Sequence, residues 1–236
     1  MRIAVALNPA EIARLPQRDL SRTTCVVFDV LRATSSMITA LAGGAREIYP
    51  VCTIEEAREL KADMPHALLG GERDGEIIHG FDVGNSPFEY RELRGRTIVT
   101  TTTNGTAALR ACEGAETVLV GAMLNLTELG DEIIWRDPEE LLLVCAGTFE
   151  EFALEDACAA GLLIGALAEE DLSDSAHAAL SVARHFPTPL AALRAARNGR
   201  ALAAKGRGQE VEWCAQVSLF NVVGIMENAV IRPIED

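Results

Sequence analysis

The segment from Phe28 to Ser36 combines residue types that suit the binding of an anion. Asp29 comes directly after an apolar run, Arg32 follows three residues later, and Ser35 and Ser36 stand at the start of the next predicted helix. Helix N-termini attract anions, hydroxyl groups add donors, and a guanidinium pairs well with phosphate. An ordinary helix cap followed by a surface arginine would give the same pattern, so this segment leaves both interpretations open.

Two neighbouring stretches, 70–75 and 80–87, hold five glycines among charged residues. Glycine lets the backbone approach a ligand closely, and Glu72 and Asp82 offer the hard oxygen atoms that Mg²⁺ prefers. Functional loops are often built in this way, so we predict a ligand-binding loop here. The alternative is a pair of ordinary turns.

Two further segments follow predicted strands. Asn104 and Gly105 come after a run of threonines and lead into a helix start at Thr106, which suits a phosphate or a sulfonate. Glu155 and Asp156 open an Ala/Leu-rich helix, where adjacent acids suit either a divalent cation or the helix macrodipole. Open α/β sheets bind ligands at the carboxyl ends of their strands, and we expect the polar segments to act there.

Two other phosphatase patterns are excluded by the residues around them. Cys52 and Arg58 have the spacing of a tyrosine-phosphatase loop, but the residues between them include two acids and no glycine. Thr53 with Glu56 is typical of a capping box, so a helix is predicted instead. The sequence after Asp29 lacks the second aspartate of a haloacid-dehalogenase-type phosphatase.

Short β-branched runs alternate with helical spacing of apolar residues through most of the chain. This alternation predicts a layered α/β/α fold with a mixed, mostly parallel sheet. The predicted strands are Ile3–Leu7, Thr24–Phe28, Glu47–Val51, Arg96–Thr101, Thr117–Val120 and Leu141–Cys145. The predicted helices between them are Ser35–Leu41, Thr53–Lys61, Thr106–Cys112 and Leu124–Trp135.

The remainder of the chain is predicted to be mainly helical. Apolar spacing favours helices over 154–168 and 173–184, and another that leads to Arg200 after Pro187 and Pro189. The stretch 222–231 predicts a C-terminal hairpin, which makes the sheet mixed. Since no linker, repeat or low-complexity tract interrupts the chain, we predict a single domain over 1–236.

The net charge of −14 argues against nucleic acid or an anionic membrane as the main partner, because either requires a basic face. An enzyme of anionic substrates with this charge needs local cations, helix N-termini or a metal. No apolar stretch is long enough to span a membrane, and the apolar start before Asn8 is too short for a signal peptide. Six dispersed cysteines without a CxxC pair favour reduced thiols and a cytoplasmic protein.

Four motifs in this order resemble those of the 2-phosphosulfolactate phosphatase family: FDVLRATSS, GGERDGEIIHGFDVGNSPFEY, TTTNGT and CAGTFEEFALEDACAAGLL. The resemblance covers about Val26 to Leu163 and extends weakly to the end of the chain. It implies an α/β fold and magnesium-dependent hydrolysis of 2-phospho-3-sulfolactate to 3-sulfolactate and phosphate. This reaction is a step of coenzyme M biosynthesis in that family.

The resemblance and the four segments together give a set of predicted site residues. Asp29, Arg32 and Asn104 are the predicted catalytic residues. The predicted metal ligands, for Mg²⁺, are Asp29, Glu72, Asp82, Glu155 and Asp156. The predicted contacts to a small anionic phosphoester are Ser35, Ser36, Arg73, Asn85, Ser86, Gly105 and Thr106. A homodimer is left open.

One departure from the family pattern concerns the substrate. Phe149, Glu150 and Glu151 follow Gly147 where a neutral or more cationic loop is expected, and their negative charge would disfavour a doubly anionic substrate. The alternatives are therefore a phosphatase of another short phospho-hydroxy acid and a non-catalytic protein that binds small anions. Clustered acids favour an enzyme, because an anion binder gains nothing from acids beside its ligand.

Overall fold

The computed structural model describes residues 1–168 and 171–234, and its ten strands there form one sheet in the order β1-β8-β2-β7-β9-β10-β3-β6-β4-β5. The strands are Arg2–Ala6 (β1), Thr23–Phe28 (β2), Glu47–Pro50 (β3), Leu68–Arg73 (β4), Glu76–Ile77 (β5), Thr97–Thr101 (β6), Thr117–Gly121 (β7), Glu140–Cys145 (β8), Gly224–Glu227 (β9) and Val230–Pro233 (β10). The mixed, mostly parallel sheet is as predicted.

The sheet consists of two parallel sets joined by a hairpin. β1, β8, β2 and β7 are parallel to one another, and so are β3, β6 and β4. The β9–β10 hairpin lies between them, with Leu119 opposite Ile225 and Ile48 opposite Ile231, both in antiparallel pairs. The predicted C-terminal hairpin is confirmed. The pairs β7–β9, β9–β10 and β10–β3 are all antiparallel, so the two parallel sets run in opposite directions.

Helices cover both faces of the sheet. They are Pro9–Ile12 (α1), Ala33–Ala42 (α2), Ile54–Asp63 (α3), Gly105–Ala111 (α4), Leu126–Arg136 (α5), Leu154–Leu167 (α6), Asp174–His185 (α7), Pro189–Ala195 (α8), Arg197–Ala204 (α9) and Gly208–Cys214 (α10). Short 3₁₀ turns lie at Leu15–Gln17, Pro87–Tyr90 and Met123–Asn125. Among the described residues, none of the helices has the length and apolarity needed to cross a membrane.

The core shows why β2 is apolar at every position of its second half. Val26 and Phe28 belong to a buried cluster with α5, α6 and α7, while Cys25 and Val27 belong to a second cluster with α2 and α4. Successive side chains of a strand point to opposite faces, so β2 is covered on both sides. The predicted layered α/β/α arrangement is confirmed.

The predicted loop at 70–75 is wrong in its first part, because Gly70 to Arg73 belong to β4. The glycines serve close packing between strands instead. A Cβ on Gly71 would lie 2.0 Å from the carbonyl oxygen of Thr101, and Gly71 has a φ of +133°. Glycine inside a strand commonly marks such an approach of neighbouring backbone.

The helical region after Pro187 is also more divided than predicted. Two helices, α8 and α9, replace the single predicted stretch to Arg200, and they are separated at Ala196, which has an extended backbone (ψ 151°). A Cβ on Gly199 would lie 1.7 Å from the carbonyl oxygen of Leu193. The break therefore lets α9 pack closely against α8. α10 was not predicted.

Candidate active site

A cavity of about 270 Å³ opens at the carboxyl ends of β2, β4, β6 and β8 and is bounded by α9. This volume is near the small end of ligand pockets, which span roughly 300–1,000 Å³. Five of the predicted site residues line it: Asp29, Arg32, Glu72, Asn85 and Asn104. The other lining residues are Leu31, Asp74, Gly75, Thr103, Gly147, Thr148, Phe149, Arg197, Asn198, Ala201, Leu202 and Lys205.

The cavity lies where the two halves of the sheet meet. Asp29 follows β2 in one parallel set, and Gly105 follows β6 in the other, yet a Cβ on Gly105 would lie 2.6 Å from Asp29 Oδ2. Five strand-to-strand steps separate β2 from β6. Sheet twist of about 20–25° per step accumulates over such a span, so the two opposed sets are far from antiparallel and their carboxyl ends can approach each other.

Asp29 is a buried carboxylate in a crowded acidic environment. Its Oδ1 accepts a hydrogen bond from the backbone N–H of Ala33 at 3.2 Å, and the residue is only 9% exposed. Burial raises the pKa of Asp29 to about 7, and the charges of Glu72 and Glu155 add to this, against the effects of the Ala33 N–H and Arg32. A carboxylate held in this way gains from a nearby cation.

Glu72 faces the same cavity from the opposite half of the sheet. Its two carboxylate oxygens accept backbone hydrogen bonds from Thr103 at 2.8 Å and from Gly75 at 2.7 Å. These bonds fix the carboxylate between the end of β6 and the turn that follows β4. Asp29 and Glu72 thus bring two oxygen donors from two different strands to one cavity.

Arg32 is buried, which excludes the alternative of a surface arginine after a helix cap. Its side chain is 4% exposed, its Nη1 atom lies 2.7 Å from Glu210 Oε2, and its Nη2 atom donates to the Gly75 carbonyl at 3.1 Å. Arg207 contacts the same two partners, at 2.8 Å and 3.1 Å. α10 therefore orients Arg32 through a shared carboxylate.

Asn104 lines the cavity, but its amide group is bonded to the loop after β8. The Asn104 Nδ2 group donates to the carbonyl oxygens of Phe149 at 2.8 Å and Ala146 at 3.1 Å. Its Oδ1 atom accepts from the Phe149 N–H at 3.0 Å. This arrangement holds the start of α4 to the loop 146–149, which forms one wall of the cavity.

Glu155 and Asp156 lie outside the cavity lining, buried at the start of α6. Asp156 accepts backbone hydrogen bonds from Val30 at 2.8 Å and Gly147 at 3.1 Å, and Glu155 accepts from Asn198 at 2.7 Å. Burial raises the pKa of both acids, that of Asp156 well above its ordinary value. Asp156 thus joins the loops after β2 and β8.

The remaining predicted site residues also lie outside the lining. Three of their hydroxyl groups donate to backbone carbonyls: Ser35 to Val30 at 2.7 Å, Ser36 to Asn85 at 2.9 Å, and Thr106 to Thr102 at 3.2 Å. Gly105 touches Asp29, and the Ser86 N–H donates to Glu89 at 3.1 Å. Arg73 donates to Thr101 at 2.9 Å, and exposed Asp82 accepts from the Leu69 N–H at 2.8 Å.

Sequence reasoning missed the contribution of α9. Arg197, Asn198 and Lys205 line the cavity from this helix and its C-cap. Their spacing places the three side chains along one side of a helix, and this pattern can be read from the sequence. That this side of the helix faces the cavity is known only from the structure. Glu150 and Glu151, whose charge was expected to disfavour an anionic substrate, are not part of the lining.

The helix predicted after Cys52, in place of a tyrosine-phosphatase loop, is confirmed. Thr53 caps α3 by accepting from the Glu56 N–H at 3.0 Å, while the Glu56 side chain accepts from the N–H of Cys52 at 2.9 Å. The Cys52 pKa is raised, mainly by partial burial. Within residues 1–168 and 171–234, no three Asp, Glu, His or Cys side chains are grouped so as to hold a metal ion by themselves.

Comparison with known proteins gives one consistent result. The profile of the 2-phosphosulpholactate phosphatase family matches residues 10–229. The chain is 40% identical over 226 residues to a probable 2-phosphosulfolactate phosphatase of Carboxydothermus hydrogenoformans, covering 94% of this chain and 92% of that protein. It is 38% identical over 226 residues to the protein of the same description from Thermotoga maritima, covering 93% and 96% of the two chains.

Proposed function

The chain belongs to the 2-phosphosulfolactate phosphatase family, and on this basis we propose that it hydrolyses 2-phospho-3-sulfolactate to 3-sulfolactate and phosphate with Mg²⁺ as cofactor. The observation that carries the proposal is the meeting of Asp29, Glu72 and Arg32 in one small cavity at strand carboxyl ends. Such a group joins metal-binding oxygens to a phosphate-binding cation. The reaction is proposed to serve coenzyme M biosynthesis in the cytoplasm, in keeping with six free cysteines.

The donor set fits Mg²⁺ as this ion is usually bound beside phosphate. Mg²⁺ commonly takes one or two protein carboxylates and completes its shell with water and substrate oxygens. Asp29 and Glu72 supply two carboxylates. Burial, with the charges of Glu72 and Glu155 adding to it, raises the pKa of Asp29, so a cation beside these acids would stabilise their charged forms. When bound, Mg²⁺ would polarise the phosphoryl group and neutralise its charge.

Arg32 is proposed to hold the phosphoryl group. A guanidinium has five N–H groups, and the bonds to Glu210 and Gly75 use two of them, which leaves donors for phosphoryl oxygens. Glu210 and the Gly75 carbonyl keep the group in one orientation before substrate arrives. This preorganisation favours stabilisation of charge that develops in the transition state.

Asp29 has two proposed roles that experiment separates. As a metal ligand, it would set the affinity for Mg²⁺. As a general base, it would accept a proton from the attacking water; in the metal-free protein burial raises its pKa to about 7, close to the value that suits such a group. Asp29→Asn weakens Mg²⁺ binding in the first case and lowers only kcat in the second, so a calorimetric Mg²⁺ titration of the variant decides between them.

A phosphate-release screen over small phosphoesters, with and without Mg²⁺, tests the function. We expect phosphate release from 2-phospho-3-sulfolactate that disappears in chelator and returns with Mg²⁺. Mg²⁺ alone should also raise the Tm of the wild-type protein, because binding to the folded state stabilises it. Full activity after rigorous metal removal would contradict the role of Mg²⁺, and turnover of only phosphoesters without a sulfonate would favour another short phospho-hydroxy acid.

A protein that binds small anions without catalysis is the weaker candidate. Asp29 and Glu72 lie buried in the cavity beside its cationic side chains, and a protein that only bound anions would gain nothing from these two acids. Such a protein would bind phosphoesters in the screen and leave them intact. The homodimer stays a prediction, which light scattering checks.

A further inference from the structure

Two cations line the cavity from opposite ends of α9. Arg197 begins the helix, and Lys205 is its C-cap. We propose that these two side chains bind the acidic groups of the substrate other than the phosphoryl group, and so select a substrate with an acid group on each side of the phosphorylated carbon. This inference rests on the proposed phosphatase function and assigns substrate selection to a helix outside the four sequence motifs.

The two cations flank the place proposed for the phosphoryl group. They are eight positions apart in the sequence, which corresponds to roughly 12 Å along a helix. Lys205 lies beside the turn after β4, since a Cβ on Gly75 would be 3.6 Å from its Nζ atom. Arg197 lies beside the loop after β8, with its guanidinium carbon 5.6 Å from the centre of the Phe149 ring. A carboxylate attached to the phosphorylated carbon and a sulfonate attached one carbon further along, on the other side, fit such a pair.

The current partners of the two cations are easy to exchange. Lys205 pairs with Glu76 at 2.6 Å and Arg197 pairs with Glu151 at 2.6 Å, and all four side chains are at least 46% exposed. Exposed ion pairs contribute little stability. Neither glutamate is part of the cavity lining, so a substrate acid in the cavity can replace them as the partner. Arg32 differs, because its pair with Glu210 is buried.

An ordinary surface ion pair on the same helical region provides the control. Arg194 on α8 pairs with Glu212 at 2.7 Å, with side-chain exposures of 61% and 53%. Arg194 does not line the cavity. A general effect of surface charge would therefore appear in Arg194→Gln as much as in variants of the two lining cations.

The test is calorimetric titration with 3-sulfolactate, which has both acid groups and no phosphoryl group, together with KM for 2-phospho-3-sulfolactate. We expect Lys205→Gln and Arg197→Gln each to weaken binding and raise KM about tenfold, equivalent to about 1.4 kcal/mol, with kcat little changed. Arg194→Gln should match the wild type. A phosphoester without acid groups should have the same KM in all variants.

Removing the competing glutamate should act in the opposite direction. Glu76→Gln frees Lys205 and should strengthen 3-sulfolactate binding by about twofold to fivefold. In the Lys205→Gln background the same change should have no effect. A purely structural role of the Lys205–Glu76 pair would give weaker binding in both single variants.

Three results would overturn the inference. These are no measurable binding of 3-sulfolactate to the wild type, equal effects in Lys205→Gln, Arg197→Gln and Arg194→Gln, and an equal loss for the phosphoester without acid groups. Failure of the phosphatase function is distinct, because it appears as absence of phosphate release by the wild type. The titration with 3-sulfolactate then still decides whether the two cations bind acids.

Discussion

At the scale of single residues, Arg32 shows how a charged side chain is prepared for a ligand. It is buried and bonded to both a carboxylate and a carbonyl group. Arg32→Lys keeps the charge but loses the planar set of donors, so we expect kcat/KM to fall about 10- to 1,000-fold. Steady-state kinetics checks this, with Arg22→Lys in an exposed pair with Glu139 as the control. An effect within twofold in both variants would make Arg32 a structural residue.

Asp29 gives a second prediction at this scale. Asp29→Asn should reduce kcat/KM at least as much as Arg32→Lys, because it removes the charge proposed to bind Mg²⁺ or the proton. Its free energy of unfolding should change little or rise, since a neutral amide no longer repels Glu72 and Glu155. Kinetics combined with urea unfolding separates the two effects. A large loss of stability together with activity would point to a structural role.

Cys52 is predicted to take no part in catalysis. It is the exposed cysteine of the six, and its raised pKa leaves less thiolate near pH 8 than a free cysteine has. Cys52→Ser should keep most activity, and iodoacetamide should label Cys52 more slowly than a free cysteine without inactivating the enzyme. Mass spectrometry of the labelled protein checks the site. Rapid inactivation that substrate prevents would instead favour a covalent mechanism.

At the scale of elements, the contact between α2 and α4 brings the two halves of the site together. A Cβ on Gly105 would lie 2.6 Å from Asp29 Oδ2 and 2.7 Å from Ala33 Cβ. Gly105→Ala should therefore displace Asp29, lower kcat/KM and reduce the free energy of unfolding by about 1–3 kcal/mol. Gly114→Ala is the matched control, because nothing lies within 4 Å of a Cβ there. Normal kinetics in Gly105→Ala would contradict the close contact.

Elements with strong local patterns could be predicted from the sequence. β2 ends in a continuous apolar run, and α3 has its capping residues in the expected positions. β4 could not be identified, because its glycines indicate a loop when the neighbouring Thr101 backbone is unknown. Of the four segments expected at the site, those with Asp29, Glu72 and Asn104 line the cavity. Glu155 and Asp156 lie outside the lining and accept hydrogen bonds from two residues that do line it, Asn198 and Gly147.

At the scale of the whole molecule, the site depends on the distant end of the chain. Glu210 in α10 bridges Arg32 and Arg207, and this link joins residues 178 positions apart. No local pattern in the sequence indicates such a contact, because it depends on how α8, α9 and α10 pack over the cavity. The contributions of α9 and α10 therefore remained outside the sequence-based prediction.

Glu210→Gln tests that long-range link. The change removes the charge that two buried or half-buried guanidinium groups share, and we expect a loss of about 3–5 kcal/mol in the free energy of unfolding with reduced kcat/KM. Glu212→Gln is the control, since its pair with Arg194 is exposed and should contribute at most about 1 kcal/mol. Urea unfolding and kinetics measure both. Equal small effects in the two variants would contradict the orienting role of Glu210.

The place of the β9–β10 hairpin has a consequence for the order of events during synthesis. The ribosome makes these strands after the other eight that the structure describes, yet they pair with β7 and β3 in the middle of the sheet. Until they emerge, the first eight strands can pair into two separate half-sheets at most, and the edges of β7 and β3 would carry unpaired backbone groups that are open to misassociation. The cavity is lined by Asp29 from one half-sheet and by Glu72 from the other. Catalytic competence is therefore acquired late, when the hairpin closes the gap between two halves that were translated long before.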